Sequence, residues 1–504
     1  MFKVTIPATG ALSYNPQKLL LQAQLQTAST NDPNSTSGDG SFNFNYLYPP
    51  GWGMGPKYFT DGGGGVGVDA SGNVFMCFKN GLSDVWRFPA PIPDIGTLPP
   101  GQAHSADVDV FKQTQVHMIN KMGPANIQAG VGVVVGENMP THQLMVADQT
   151  RLMYWNMPSS PQALVNGQAA DGFVVNPQST PAPFLNDDGS FFGRPKVDQA
   201  TQDGTSTGAP QQHMWVPING IPEVYNLPLH GADIPSAQLP LSIPVLGGGS
   251  IQVTYGLGDI IPSWDAAVSY LWVADQLHGR VFRVRNPLSS TNRVVDIILG
   301  QNDANNNDCG NHGTMSGGTC VEGTASAYTL NEPGAITLDH KGNLFISDSA
   351  LESAGNARLL VYDTAALQNN GNTCLFGNAI PAAFIHVFDR GGNLSNRDSY
   401  CPQGNYPCLN FTFQPAITSD DYTMVVGTFG GSIQPPVVFN PMGNYDPQNA
   451  SPPWTTLKDY SSAVFSAFFD KQNNLYTTDM DRSRVLIYFQ PFPTVPPTPT
   501  GTLM

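Results

Sequence analysis

The sequence predicts an all-β chain, a β-propeller of about seven four-stranded blades, with six as the lower count in a class where four to eight are common. Three observations point there: a composition hostile to helices, a strand–turn–strand signature that recurs along the chain, and the regular spacing of that signature. Among 504 residues there are 52 Gly and 44 Pro, while charged residues make up 12%. Gly costs roughly 1 kcal/mol and Pro roughly 3 kcal/mol inside a helix, so this composition favours short strands joined by turns and long loops. At 40% hydrophobic, the chain is too apolar to be disordered as a whole.

The signature is clearest at 69–75, 339–345 and 470–476, read as DASGNVF, DHKGNLF and DKQNNLY. Each is an Asp, a two-residue turn, Gly-Asn or Asn-Asn, and then an apolar-aromatic run. Gly and Asn tolerate the positive φ of a tight hairpin. A short apolar run precedes each copy (GVGVD, AITLD, SAFFD), which makes a hairpin. A third strand follows at 83–89, 357–363 and 483–491. The same pattern without the full turn recurs at 143–158, 212–228, 270–287 and 422–441. Six of the seven third strands end in Pro. Three residues before that Pro stands Trp86, Trp155, Tyr225, Val284, Val438 or Tyr488. A fourth element follows in GQAHSADVDVFKQTQ (101–115), LVNGQAADGFVVNPQ (164–178) and TNRVVDIILGQND (291–303). Seven units in 504 residues give about 72 residues each, against 40–45 in compact propeller repeats. The excess lies in loops 27–60, 179–210, 302–330, 390–412 and 440–460, the expected specialised surface.

The last unit has three evident strands. The segment FKVTIPA near the N-terminus is expected to supply its fourth, closing the ring and covering an edge. The organisation expected is an N-terminal strand and extended loop over 1–60, the propeller over 61–490, and a stiff Pro/Thr-rich linker or tail over 491–504.

The residues of 333–363, PGAITLDHKGNLFISD followed by NARLLVYD, resemble the NHL repeat. LWVADQLHGRVFRV and LYTTDMDRSRVLIYF resemble its second half, and the connector NGQAAD a version found in secreted bacterial proteins. The resemblance spans roughly 63–490 and implies the propeller fold. It implies little about activity, since propellers host many functions.

Net charge is −16 with 22 basic residues and no basic run, which argues against nucleic acid and against an anionic membrane surface. No stretch of 18 apolar residues suggests membrane insertion. Cys309 and Cys320 bracket one Gly/Asn-rich loop and Cys401 and Cys408 bracket another. Two local disulfides are expected there, with the connectivity open, and they imply an oxidising compartment. Cys77 reads as a buried thiol, and Cys374 lacks a local partner. Asn34, Asn393, Asn410 and Asn449 begin N-x-S/T sequons.

Asp148, Asp275, Asp348 and Asp479 recur after the second strand, and Arg151, Arg280, Arg358 and Arg484 open the third. An Asp–Arg pair accounts for both sets as repeated structural residues. His278 and His340 read as turn residues. Asp303, Asn305, Asn307 and Asp308 form an oxygen-rich loop that suits Ca²⁺ in residue type, though it lacks the Glu and spacing of an EF-hand. No other cofactor and no catalytic residue is singled out. The expected function is a non-enzymatic extracellular or cell-surface module that binds a protein or glycan, or self-assembles into a layer or filament through its N-terminal segment and long loops. The alternative is a metal-dependent hydrolase, lyase or lactonase with its site in the central channel.

Overall fold

The computed structural model describes residues 18–20, 66–68, 73–77, 85–88, 90, 108–109, 130–136, 142–148, 151–157, 170–175, 196–198, 212–218, 221–230, 235–253, 257–265, 268–304, 310–316, 319–321, 323–331, 333–348, 356, 358–369, 371–388, 415–418, 421, 424–426, 437–439, 455–456, 464–469, 473–479, 484–488 and 491–492. They are dominated by strands; the helices among them are single 3₁₀ turns.

Strand β1 (Lys18–Leu20) stands apart in sequence from its sheet. The first sheet is β2 (Val66–Val68), β3 (Val74–Cys77), β4 (Val85–Phe88) and β5 (Val108–Asp109). The second is β6 (Gly130–Gly136), β7 (His142–Asp148), β8 (Arg151–Met157) and β9 (Gly172–Val175). The third is β10 (Lys196–Val197), β11 (His213–Ile218), β12 (Ile221–Asn226) and β13 (Ala237–Gln238), followed by a hairpin, β14 (Ser242–Pro244) and β15 (Ser250–Gln252). The fourth is β16 (Leu257–Asp265), β17 (Val268–Asp275), β18 (Arg280–Arg285) and β19 (Val294–Leu299); a second hairpin, β20 (Thr314–Ser316) and β21 (Thr319–Val321), comes after it. The fifth holds β22 (Pro333–Leu338), β23 (Leu344–Asp348) and β24 (Arg358–Tyr362). Its chain then gives β25 (Leu375–Phe376) to the edge of the fourth sheet before returning as β26 (Ile385–Phe388). The sixth is β27 (Ala416–Ile417), β28 (Met424–Val426), β29 (Val437–Phe439) and β30 (Thr455–Thr456). The seventh is β31 (Val464–Phe469), β32 (Leu475–Asp479) and β33 (Arg484–Tyr488). Each is an antiparallel meander open at both edges; among the described residues the one parallel pairing within a sheet is β19 with β25.

The seventh sheet gains its fourth strand from the N-terminus, as β1 runs antiparallel to β33 with Lys18 opposite Ile487 and Leu20 opposite Val485. This corrects the expectation for FKVTIPA. The paired segment is KLL at 18–20, an apolar run able to continue a sheet whose edge is Val485-Leu486-Ile487; residues 2–7 lie outside the described residues.

Period-2 alternation sends successive side chains to opposite faces, and in the central sheets both faces are covered. From the fourth sheet, Leu271, Val273, Phe282 and Val284 join a core with Trp215 and Val224 of the third sheet and Ile243 and Ile251 of the hairpin between them. Trp272, Ala274, Val281 and Ile297 face Ile336, Ile346, Leu360 and Tyr362 of the fifth sheet. Met145, Leu152 and Tyr154 pack on Met214, Val216 and Tyr225, joining the second sheet to the third. Phe345 and Val361 meet Met424 and Val426, joining the fifth to the sixth. A sheet buried on both faces needs apolar residues at consecutive positions, which explains the low charged fraction. Trp155, Tyr225, Val284, Val438 and Tyr488, the bulky third-strand residues, are all buried.

The recurring Asp-x-x-Gly-Asn turn has a mechanical role. The Asp339 carboxylate accepts bonds from the amides of Lys341 and Asn343 and from the Asn343 side chain. Gly342 takes φ +82 and Asn473, at the same place in its own turn, takes φ +61. The next Asn ties the turn to the exit of the third strand: Asn343 accepts from the Thr364 amide, and Asn73 from the Ala90 amide.

Candidate functional site

In a four-stranded meander, the turn between the second and third strands and the connection to the next sheet emerge at the same end. Strands that run alternately up and down allow no other arrangement. The recurrent Asp closes the second strand and the recurrent Arg opens the third, so both stand at that end. They are direct cross-strand neighbours in four sheets: Asp148 with Arg151, Asp275 with Arg280, Asp348 with Arg358, and Asp479 with Arg484. The residue opposite each Asp on the first strand begins a bulge, at Gly130, Leu257, Pro333 and Val464. One local geometry is therefore repeated four times, and a bulge of this kind bends the strand that carries it and re-aims its side chains.

Side chains are described in two of these sockets. In the fourth sheet, Arg280 Nε donates to Asp275 Oδ2 at 2.8 Å, and both side chains are 0% exposed. A second guanidinium nitrogen donates to the Gln252 carbonyl, holding the chain just before β16. In the fifth sheet, Arg358 Nε donates to Asp348 Oδ2 at 3.0 Å, again at 0% exposure, and the guanidinium reaches the Thr329 carbonyl just before β22. Asp348 Oδ1 also accepts from the Asn331 amide. Each socket thus grips the connection arriving from the previous sheet.

The residue two before each Arg completes the arrangement. Asn356 donates to Asp348 Oδ2 at 2.7 Å and exchanges two amide bonds with Asn311, which ties the 310–312 turn to the socket. His278 occupies the corresponding place in the fourth sheet, its Nδ1 2.9 Å from Asp275. Gly279 separates His278 from Arg280 with φ +54, and a Cβ there would stand 2.7 Å from the Leu330 carbonyl. The close approach and the positive φ both call for Gly.

Other charge-bearing side chains are also committed. Arg283 pairs with Asp296 at 2.8 Å, donates to the Leu367 carbonyl and lies 4.2 Å above the Tyr270 ring. Asp259 accepts from the amides of Ile260 and Ile336 and lies 3.5 Å from Lys196 Nζ, so it links three sheets. Asp198 accepts from the His213 amide, lies 3.0 Å from His213 Nδ1 and accepts from Trp215 Nε1. Glu223 accepts from the Tyr225 hydroxyl at 2.6 Å, and burial pushes its carboxyl above the ordinary range despite that bond. Sequence reasoning missed the Asp198 and Glu223 clusters because neither recurs between units. Burial pushes the Cys374 thiol up to about 12. His340 is exposed, with Nδ1 2.9 Å from Asp421.

Of the oxygen-rich loop, Asp303 is exposed; Asn305, Asn307 and Asp308 lie outside the described residues. So do Cys309, Cys401, Cys408 and the four sequons, and the side chain of Cys320 on β21 is likewise not described. The same holds for the side chains of Asp148, Arg151, Asp479 and Arg484, which are placed by backbone register alone. Among the described residues no group of three or more His, Cys, Asp or Glu could hold a metal ion, and no helix is long and apolar enough to cross a membrane. Compared with models of protein families and with curated proteins, the chain matches none.

Proposed function

We propose that the seven sheets are the blades of an NHL-type β-propeller that serves as a non-enzymatic interaction or assembly module outside the cell or on its surface. Three observations support the architecture. The sheets are sequential meanders; contacts between first strands run from β2 to β6, β6 to β10, β10 to β16 and β16 to β22, and again from β27 to β31; and the bulge, Asp and Arg recur in register. First strands that touch in chain order line the axis of such a ring.

The single observation that carries the functional reading is what the sockets hold. Their buried Asp and Arg groups are spent on the connections between sheets, and the connection from β19 to β22, like those from β9 to β10 and from β26 to β27, leaves from that same end. A rigid frame that presents fixed loops on one face is the usual form of a recognition surface. Leu277 and Val321 are exposed on the fourth-sheet turn and on the β20–β21 hairpin, and both belong to that face. The low charge and abundant Asn, Thr and Gly suit an extracellular surface, with protein or glycan as partner.

Electron microscopy of the purified chain tests both parts. Class averages are expected to show a disc with seven lobes, and ordered layers or filaments at higher concentration. An open arc of sheets overturns the ring. Hydrolysis of ester or lactone substrates that depends on added divalent metal and stops on chelation overturns the non-enzymatic reading.

A further inference from the structure

We infer that β1 is an exchangeable strand, and that the β33 edge accepts residues 18–20 of a second copy of the chain, joining copies head to tail. The inference deepens the assembly reading above and rests on it. In the other sheets the fourth strand comes after the third along the chain, in the fifth by way of β25; in the seventh it comes from the opposite end of the sequence. Among the described residues only Lys18, Leu19 and Leu20 pair with the β33 edge, opposite Ile487, Leu486 and Val485.

About 45 residues separate β1 from β2, enough to span roughly 150 Å when extended at 3.3–3.6 Å per residue. A connection of that length sets a modest effective concentration for its own edge, so a neighbouring copy competes once protein is concentrated. Every copy brings both halves of the contact, a strand and an edge in matching register. The bonds are backbone to backbone, the mode by which an extended segment adds to a sheet. Because donor and acceptor are different surfaces, each copy that gives its strand still offers its edge. Such a contact propagates as a filament or closes as a larger ring. A net charge of −16 repels approaching copies, so exchange should quicken as salt screens it.

Two populations of the full chain test this, one carrying Leu19→Cys and the other Leu486→Cys. Opposed positions in an antiparallel pair place Cβ atoms about 5 Å apart, within reach of a short bifunctional thiol reagent. Mixing the two is expected to give a covalent dimer that neither population gives alone. One chain carrying both changes should link internally when dilute and form a ladder when concentrated. Internal linkage at every concentration, with a monomeric mixture, overturns the exchange while leaving the seventh sheet closed as proposed. Absence of linkage in every combination overturns the exchange and also the N-terminal closure of the ring. Should Leu486→Cys fail to fold, a fluorescent peptide of residues 14–24 added to the unaltered chain gives a second measure. Its anisotropy should rise as it displaces β1, and a flat trace overturns the inference.

Discussion

Replacing Asp348 with Ala should cost about 3–5 kcal/mol of stability, the usual result of breaking a buried ion pair from one side. The carboxylate accepts from Arg358 Nε, Asn356 Nδ2 and the Asn331 amide, and the substitution takes this acceptor from all three donors. Arg358 is 0% exposed and retains its bond to the Thr329 carbonyl, so its charge stays buried after the carboxylate paired with it is gone. Against a total stability of about 5–15 kcal/mol, that is a fifth or more of the whole. Adding Arg358→Leu removes the stranded charge. The Asn331 amide and the Asn356 side chain stay short of an acceptor as in the single variant, and the stranded charge is exchanged for a Thr329 carbonyl that has lost a donor, about 1–3 kcal/mol for a neutral group left unsatisfied. The double variant should therefore be more stable than Asp348→Ala alone, with a coupling of about 2 kcal/mol. Urea unfolding followed by tryptophan fluorescence gives both numbers, and hydrogen exchange at 310–313 and 329–331 reports local loosening. A single substitution costing less than about 1 kcal/mol, or a double costing the sum of its parts, would refute the socket as a coupled unit.

Glu223 makes a pH prediction. A carboxyl whose folded value is raised holds its proton longer in the folded chain, so its contribution to stability is lost as pH rises from the unfolded value, 4.5, through the raised one. Glu223→Gln should therefore lose less stability than the unaltered chain as pH rises above 4.5, measured as urea midpoints; equal losses count against the buried carboxyl. Gly279→Ala should destabilise by about 1–3 kcal/mol, from the positive φ and the 2.7 Å approach to the Leu330 carbonyl, and a neutral result in the same assay would count against that geometry. Cys374, with its thiol pushed up to about 12, should alkylate far more slowly at about pH 8 than after unfolding, followed by peptide mass spectrometry; equal rates would show an open thiol.

The sequence showed the sheets wherever a local rule repeated. The Asp339 turn and its counterparts at 69 and 470 need Asn or Gly for backbone reasons, and those reasons act within about five residues. The buried third-strand residues before Pro were visible because each unit must fill the same gap between faces. Asp275 with Arg280 and Asp348 with Arg358 could be matched because both partners recur. The 311–356 amide pair could not be, since it joins an insertion unique to one connection to a turn 45 residues away. Lys18–Leu20 was missed in favour of residues 2–7 because both are short apolar runs, and which of them meets β33 is set by packing against a strand at the far end of the chain. Asp198 with His213 and Trp215 also lacked a repeated counterpart to reveal it.

The detour that carries β25 to the fourth sheet changes what counts as a unit. Between β24 and β26 the chain crosses to its neighbour, where Asn369 donates to the Asp296 carbonyl, the Leu367 carbonyl accepts from Arg283, the Cys374 amide donates to the Leu246 carbonyl, and Leu375 and Phe376 pair with Ile297 and Ile298. The fifth repeat therefore supplies backbone to the fourth. Gene segments cut at the sequence repeat would sever that splice, leaving one fragment with an unfinished edge and the other with a strand that has nowhere to lie. At this point the molecule has ceased to be a string of interchangeable cassettes: a fragment that keeps the fourth sheet whole must also keep the segment of the fifth repeat that pairs with it.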